Sequence, residues 1–302
     1  MNELVTAVIT TYNRETQILQ RAVESVLAQT WRPLELIVVN DSPENVELAD
    51  SIEKMLAKIQ KEHQDVPVMY APLEHNSGAC AARNKGLELA KGEFISFLDD
   101  DDVWMEKKIE LQRQGFISNE TGMVYSPFID ISYKNPSKKQ VIVRGNKSGK
   151  LLEDLLVRNV IGGTSMPMMR TDALRSIGGF DEELQSSQDY DVWLRIAQQY
   201  EIQFVEEPLT VRYLLEESIT TNLKRKEQGW LRFTEKNLKY YKERRKAFEV
   251  RMHLFLKDII SLGDYSFAKE IMKKYKGLYG IRTNINYFVE RGKACVKKLI
   301  GR

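Results

Sequence analysis

Cysteine is scarce: Cys80 and Cys295 are the only two in 302 residues, and they lie far apart in the chain. A disulfide framework is therefore not expected, and a reducing, cytoplasmic setting fits. No stretch approaches the eighteen or so consecutive apolar residues a membrane span needs. The opening MNELVTAVITTY lacks a basic start and a long apolar segment, so no secretory leader is expected. Histidine is nearly as rare, and His63, His75 and His253 show no ligand spacing and read as surface residues. No G-x-G-x-x-G follows a strand, which argues against a dinucleotide-binding oxidoreductase. Nor does a Gly-rich loop with Arg or Lys follow the first strand, as a nucleotidyltransferase would show. What remains is an ordinary soluble composition, 42% hydrophobic and 29% charged, long enough for a large core with an appendage or for two domains.

A net charge of +2 hides an asymmetry. Residues 221–302 carry 22 Lys/Arg against 8 Asp/Glu, a balance of +14, which leaves −12 on the rest. Opposite signs in two parts of a chain indicate modules with different partners. The division expected is a domain over residues 1–222 and a basic helical extension over 223–302.

Within the first part, apolar runs alternate with amphipathic stretches. Strands are expected at 5–11, 34–41, 66–71 and 94–98, with helices at 15–29, 46–63 and 78–90. In the first helix Leu19, Ala22, Val23, Val26 and Leu27 share one face. Such alternation makes a doubly wound, largely parallel sheet. Further along, strands are expected at 123–130, 140–144, 164–169 and 202–205, and helices at 151–158 and 189–200, giving a mixed α/β architecture. From residue 224 the pattern is helical, with one long helix to Gly263 and a shorter one at 267–276.

The stretch FISFLDDDDVW stands out. A buried apolar strand stops at four consecutive acids, Asp99, Asp100, Asp101 and Asp102, at the carboxyl end where open α/β sheets place ligands. Their repulsion is costly unless a cation shares the site, and hard oxygen donors suit Mg²⁺ or Mn²⁺. Helix capping, with Asp102 starting a helix at Val103, would account for one or two of the four.

TTYNR after the first strand, VVND ending the second, NSGACAARNKG before FLDDDDVW, then IGGFDE and SQDYDVWLR, resemble in order and spacing a family 2 glycosyltransferase of the GT-A fold. The resemblance covers about residues 5–220. It implies a Rossmann-like mixed sheet flanked by helices, followed here by the C-terminal helical extension. It also implies an inverting transfer of one sugar from a nucleotide-sugar, expected to be UDP-linked, in cell-surface polysaccharide synthesis. Thr11, Tyr12, Arg14 and Asp41 would surround the base, and Asn76, Gly78 and Arg83 would lie near the nucleotide. Asp99 and Asp101 match the DXD element, Asp99 toward ribose and metal and Asp101 on the metal, with Asp100 placed with the donor and a substitute for either. Asp189 matches the catalytic base, with Asp191 the fallback. The plainer roles are a core aromatic for Tyr12, a turn residue for Asp41, a solvated helix residue for Arg83 and a helix cap for Asp189.

Two positions depart from the family pattern. Gln188 stands where an acid is usual, which is expected to lower the pKa of Asp189 by removing a like charge. Leu215 stands where a His is expected. These departures feed the rival reading of a non-catalytic nucleotide-sugar sensor or scaffold. No Gln-x-x-Arg-Trp element is present, which favours single transfer over processive synthesis. The basic tail, with Trp230, Phe233, Tyr240, Tyr241 and Phe248, could dock on an anionic bilayer, placing the enzyme at the inner face of the cell membrane beside a glycan or lipid-linked acceptor. The alternatives are burial of the apolar stripe within the chain or in a homodimer. No recognition motif points to nucleic acid.

Overall fold

The computed structural model describes residues 3–132, 135–184, 186–214, 223–280 and positions 283 and 289. Two compact units divide the chain: Met1–Leu152 with Val160–Trp230, and Glu153–Asn159 with Leu231–Arg302. The division by charge at residue 222 falls before this one and does not include the short inserted segment.

In the first unit, β1 (Val5–Thr11), α1 (Thr16–Leu27), β2 (Leu34–Asn40), α2 (Val46–Glu62), β3 (Val68–Pro72), α3 (Ala79–Leu89) and β4 (Phe94–Asp99) alternate as the sequence pattern requires. After them come β5 (Val103–Trp104), α4 (Lys108–Gln114), β6 (Thr121–Tyr125), β7 (Phe128–Ser132), β8 (Lys139–Ile142), α5 (Leu152–Val157, which after its first residue belongs to the second unit), β9 (Met168–Arg170), α6 (Thr171–Ser176), α7 (Gln188–Ala197), β10 (Glu201–Phe204) and β11 (Thr210–Leu214). Seven strands make one sheet in the order β10–β6–β9–β4–β1–β2–β3, and a smaller sheet runs β5–β11–β7–β8. In the large sheet only β9 is antiparallel to its neighbours. The sheet is thus mixed, as expected of a GT-A fold.

Period-two geometry sends β1 side chains to both faces. Val5, Ala7 and Ile9 join a core with Leu19, Val23, Ile52 and Leu56 from α1 and α2. On the opposite face Val8 meets α3 at Gly86, where an added Cβ would lie 2.4 Å from a Val8 methyl. Gly86 is therefore a packing residue. Phe94, Ile95, Phe97 and Leu98 are at most 1% exposed, and each such burial stabilises by roughly 1.5–3 kcal/mol. That anchorage lets β4 hold a costly row of acids at its end.

Several expected elements differ. No helix starts at Val103: Val103 and Trp104 pair antiparallel with Val211 and Thr210, and α4 begins only at Lys108. Asp102 is therefore not a helix cap. The run 123–130 is two strands, broken at Ser126 and Pro127, because proline cannot supply the ladder N–H. Of 164–169 only Met168 and Met169 are in a strand, since Thr164 and Ser165 bond to the acid loop instead. Helix α6 and strand β11 carry weak patterns and were not expected.

Residues 224–263, of which 224–230 belong to the first unit and the rest to the second, are not one helix. They form α8 (Leu223–Lys236), α9 (Leu238–Glu243) and α10 (Arg245–Ser261), followed by α11 (Tyr265–Lys274), with breaks at Asn237 and Arg244. The aromatic stripe is mostly internal: Trp230, Phe233, Tyr241 and Phe248 are at most 6% exposed. Tyr241 and Phe248 stack edge-on at 5.2 Å, and Tyr241 O–H donates to Leu156 O. These four rings are held inside, as an apolar stripe on packed helices is, whereas Tyr240, the fifth of the stripe, is only half-buried. Among the described residues no helix is long and apolar enough to cross a membrane.

Candidate active site

The four acids emerge from the end of β4 in a tight turn, closed by the Asp102 N–H donating to Asp99 O at 3.0 Å. Their side chains alternate in exposure. Those of Asp99 and Asp101 are 37% and 29% exposed, whereas that of Asp100 is 8%. Asp102 is also buried. The two open carboxylates are the pair assigned to the DXD element. Asp100 faces inward, accepting from Thr11 O–H at 2.7 Å and Arg14 Nε at 2.8 Å.

Arginines balance this charge. Arg14 Nη2 also donates to Asp101 at 3.1 Å, and Arg21 Nη2 donates to the Asp101 carbonyl at 2.9 Å. Arg83 Nη2 donates to Asp99 at 3.0 Å, and Thr164 O–H bonds the same carboxylate. Burial pushes Asp100 up to about 6 against the pull of Arg14. Asp101 rises through burial and then the charge of Asp99. Asp102 rises further, again through burial first and Asp99 second, while Ser165 pulls it down. Burial alone would lower the Arg14 pKa, but the charges of Asp100 and Asp101 raise it, so it stays a cation.

Asp189 lies in the first turn of α7, behind Ser187 in a left-handed conformation, so it is not the cap. Its Oδ1 accepts from the Tyr190 N–H at 2.7 Å. Burial raises its pKa, while Arg83 lowers and Asp99 raises it. Gln188 adds no like charge beside Asp189, and the rise comes from burial first. Gln188 accepts from Arg83 Nη1 at 3.2 Å and donates to Leu184 O at 2.8 Å. A line of contacts, Gln188–Arg83–Asp99, therefore joins the start of α7 to the acid loop. Arg83 is a nearly buried member of the site and not a solvated helix residue. The fallback Asp191 is 1% exposed and paired with Arg195 at 2.7 Å, so it faces the core.

At the nucleotide end Tyr12 is 53% exposed, so it is not a core aromatic and its ring can stack on a base. Asp41 is buried and accepts from Ser77 N–H at 2.7 Å and Gly78 N–H at 3.0 Å, tying β2 to the start of α3. Gly78, at φ +89°, is the backbone hinge that aims those groups. Asn76 is exposed and its N–H donates to Glu44 at 2.8 Å. Asp41→Ala should lose about 1–3 kcal/mol of stability, read by urea unfolding. Unchanged stability would show that the loop holds itself.

Asn84 clamps the turn at Gly179 and Phe180, accepting from and donating to the Phe180 backbone at 2.8 and 2.9 Å, which makes it structural. His75 is exposed, but His63 and His253 are half-buried. Leu215 lies outside the described residues. Residues 162–165 read from the sequence as lying near the site, whereas Arg21 and the Arg212–Asp130 pair (two contacts at 2.8 Å) carry no motif that assigns them to it. Their contacts span 45 residues or more in sequence, and no local pattern marks them.

Among the described residues no three His, Cys, Asp or Glu side chains converge as a preformed metal cage. Two open carboxylates, one of them raised by burial and then by the other's charge, nevertheless fit a hard cation that takes its remaining ligands from substrate phosphates and water.

A family model described as "Glycosyl transferase family 2" matches residues 6–178. The "UDP-Glc:alpha-D-GlcNAc-diphosphoundecaprenol beta-1,3-glucosyltransferase WfgD" of Escherichia coli is 29% identical over 64% of this chain and 69% of its own. S. aureus TarS 1–349, solved with UDP-GlcNAc, superposes with a TM-score of 0.67 at 13% identity, over 99% of this chain and 92% of that one. A mannosyltransferase from Pyrobaculum calidifontis, solved with GDP-Man and Mn²⁺, superposes at 0.58 and 16% identity, over 98% and 86%.

Proposed function

The chain belongs to glycosyl transferase family 2, and on that premise we propose that this glycosyltransferase moves one sugar, with inversion, from a UDP-linked donor to a hydroxyl of a glycan or lipid-linked acceptor. The observation that carries the reading is the joining of Asp99, one of the open pair, to the start of α7, where Asp189 sits, through Arg83 and Gln188. Tyr12 stacks on the base, and Asp41 keeps capacity for one more donor beyond the two backbone N–H groups it already holds. Arg14 and Arg83 offer charge to the diphosphate.

Asp101 and Asp99 would hold Mn²⁺ or Mg²⁺, which supplies charge neutralisation for the departing nucleoside diphosphate. Asp189 takes the proton from the acceptor hydroxyl as that oxygen bonds to the anomeric carbon. The bond from that carbon to the diphosphate oxygen breaks on the opposite face, so the configuration inverts. The raised pKa suits this role, since a more basic carboxylate is a better proton acceptor.

A lipid-linked acceptor is supported by the name of the E. coli relative, which gives its acceptor as alpha-D-GlcNAc-diphosphoundecaprenol. Work at the inner membrane face and roles in polysaccharide synthesis follow from that same reading. The basic balance of the C-terminal region suits an anionic carrier.

A thermal-shift screen of nucleotide-sugars tests the donor. At a hundredfold excess over Kd a bound donor adds about 2.7 kcal/mol of stability, a shift of several degrees. UDP-sugars are expected to raise Tm with Mn²⁺ and to lose that shift with chelator. No shift with any UDP-sugar would refute the donor assignment.

A further inference from the structure

Arg14 touches two acids with different surroundings. Its Nε is held by Asp100, which is almost buried and also fixed by Thr11, while its Nη2 reaches Asp101, which stands open. One contact is thus an anchor and the other is accessible to exchange. Arg21 contributes the same formal charge nearby, but to the Asp101 carbonyl and not to its carboxylate.

We propose that Arg14 is a resident counter-cation for Asp101, tethered by Asp100, which gives up Asp101 to an incoming divalent cation and then turns to the donor diphosphate. Asp100 is on this account a positioning residue and not a donor ligand. The inference rests on the metal assignment made above and adds how the empty and loaded states exchange charge. Two carboxylates beside each other need a cation in both states, and a guanidinium can leave one partner while keeping the other. With Asp101 released, the freed Nη2 is available to the phosphates, for which a planar fork is suited. The tether keeps the arginine from drifting into solvent, so a single side chain serves the resting site and the donor complex in turn.

The test measures Mn²⁺ binding to the nucleotide-free protein by electron paramagnetic resonance of free Mn²⁺, then UDP binding with Mn²⁺ present by calorimetry. Arg14→Gln should bind Mn²⁺ alone about five- to tenfold more tightly than wild type, as expected for loss of a part-exposed ion-pair competitor. The same variant should bind UDP with Mn²⁺ about tenfold more weakly. Arg21→Gln, which removes an equal charge, should change Mn²⁺ affinity less than about threefold. Asp100→Asn should weaken UDP binding as Arg14→Gln does, without tightening Mn²⁺. Arg14→Lys, which keeps the charge but cannot span both acids, provides a second variant and should fall between wild type and Gln in both measurements. Mn²⁺ affinity that is unchanged or reduced in Arg14→Gln overturns the exchange, as does equal tightening in Arg21→Gln. No Mn²⁺ binding by wild type with UDP present would overturn the metal assignment and the exchange with it.

Discussion

Asp101→Asn is expected to lower sugar transfer by at least a hundredfold and to remove most metal-dependent donor binding, while the protein stays folded. The substitution is nearly isosteric and its side chain is 29% exposed, so packing changes little. What is lost is a full charge at the end of β4. Lewis-acid stabilisation of a departing diphosphate is worth several kcal/mol, and each 1.36 kcal/mol is tenfold in rate, so about 10²–10⁴ is the range expected. Far-UV circular dichroism checks the fold, and donor affinity with and without chelator checks the cause. Equal activity and binding in the presence of chelator would remove the metal from the mechanism.

Asp189→Asn should separate binding from chemistry. Donor affinity is expected to stay within about threefold of wild type, and turnover to fall by about 10²–10⁴, the range for loss of a general base. The pH profile carries the same information. The base must be ionised to act, and burial places its pKa above that of an ordinary Asp, so wild-type kcat/KM should fall as pH drops through that raised value. The limb should vanish in the variant. As a matter of stability the sign is opposite: a carboxyl whose folded pKa is raised favours the fold below its unfolded pKa, and that contribution is lost as pH rises through the folded one. Near-normal turnover in Asp189→Asn would assign the proton to another group.

The first half of the fold was readable because β1 to β4 and α1 to α3 follow clean periods of two and 3.6. The limits of these elements differ from the sequence reading by at most two residues. The second half was less so, for identifiable reasons. Val103 and Trp104 look like the first turn of a helix, but pairing with β11 claims their backbone groups. Nothing near β11 in sequence announces that partner. Pro127 splits what reads as one apolar strand. In the tail, helical spacing persists through Asn237 and Arg244, so periodicity alone joins three helices into one.

The site divides in the same way. Asp99, Asp101 and Asp189 carry motif positions and could be named from the chain. The alternation that leaves Asp99 and Asp101 open and turns Asp100 inward is a property of the folded turn. So is the position of Arg83 between Asp99 and Gln188, a contact that spans 105 residues to the glutamine. Gln188, read as a missing acid, is seated as the acceptor that orients Arg83. Its neutral amide leaves the guanidinium charge to Asp99.

Release of UDP from a UDP-sugar panel, with Mn²⁺ and with chelator, tests the central claim most directly. Water can take the place of an unidentified acceptor, so the measurement needs only donor, metal and protein. The account predicts release from at least one UDP-sugar that requires Mn²⁺ or Mg²⁺, is lost in Asp101→Asn and is lost in Asp189→Asn despite retained donor binding. Binding of UDP-sugars with no release under any of these conditions, on adding glycan and lipid-linked acceptors as well, would contradict it and leave a nucleotide-sugar receptor in its place.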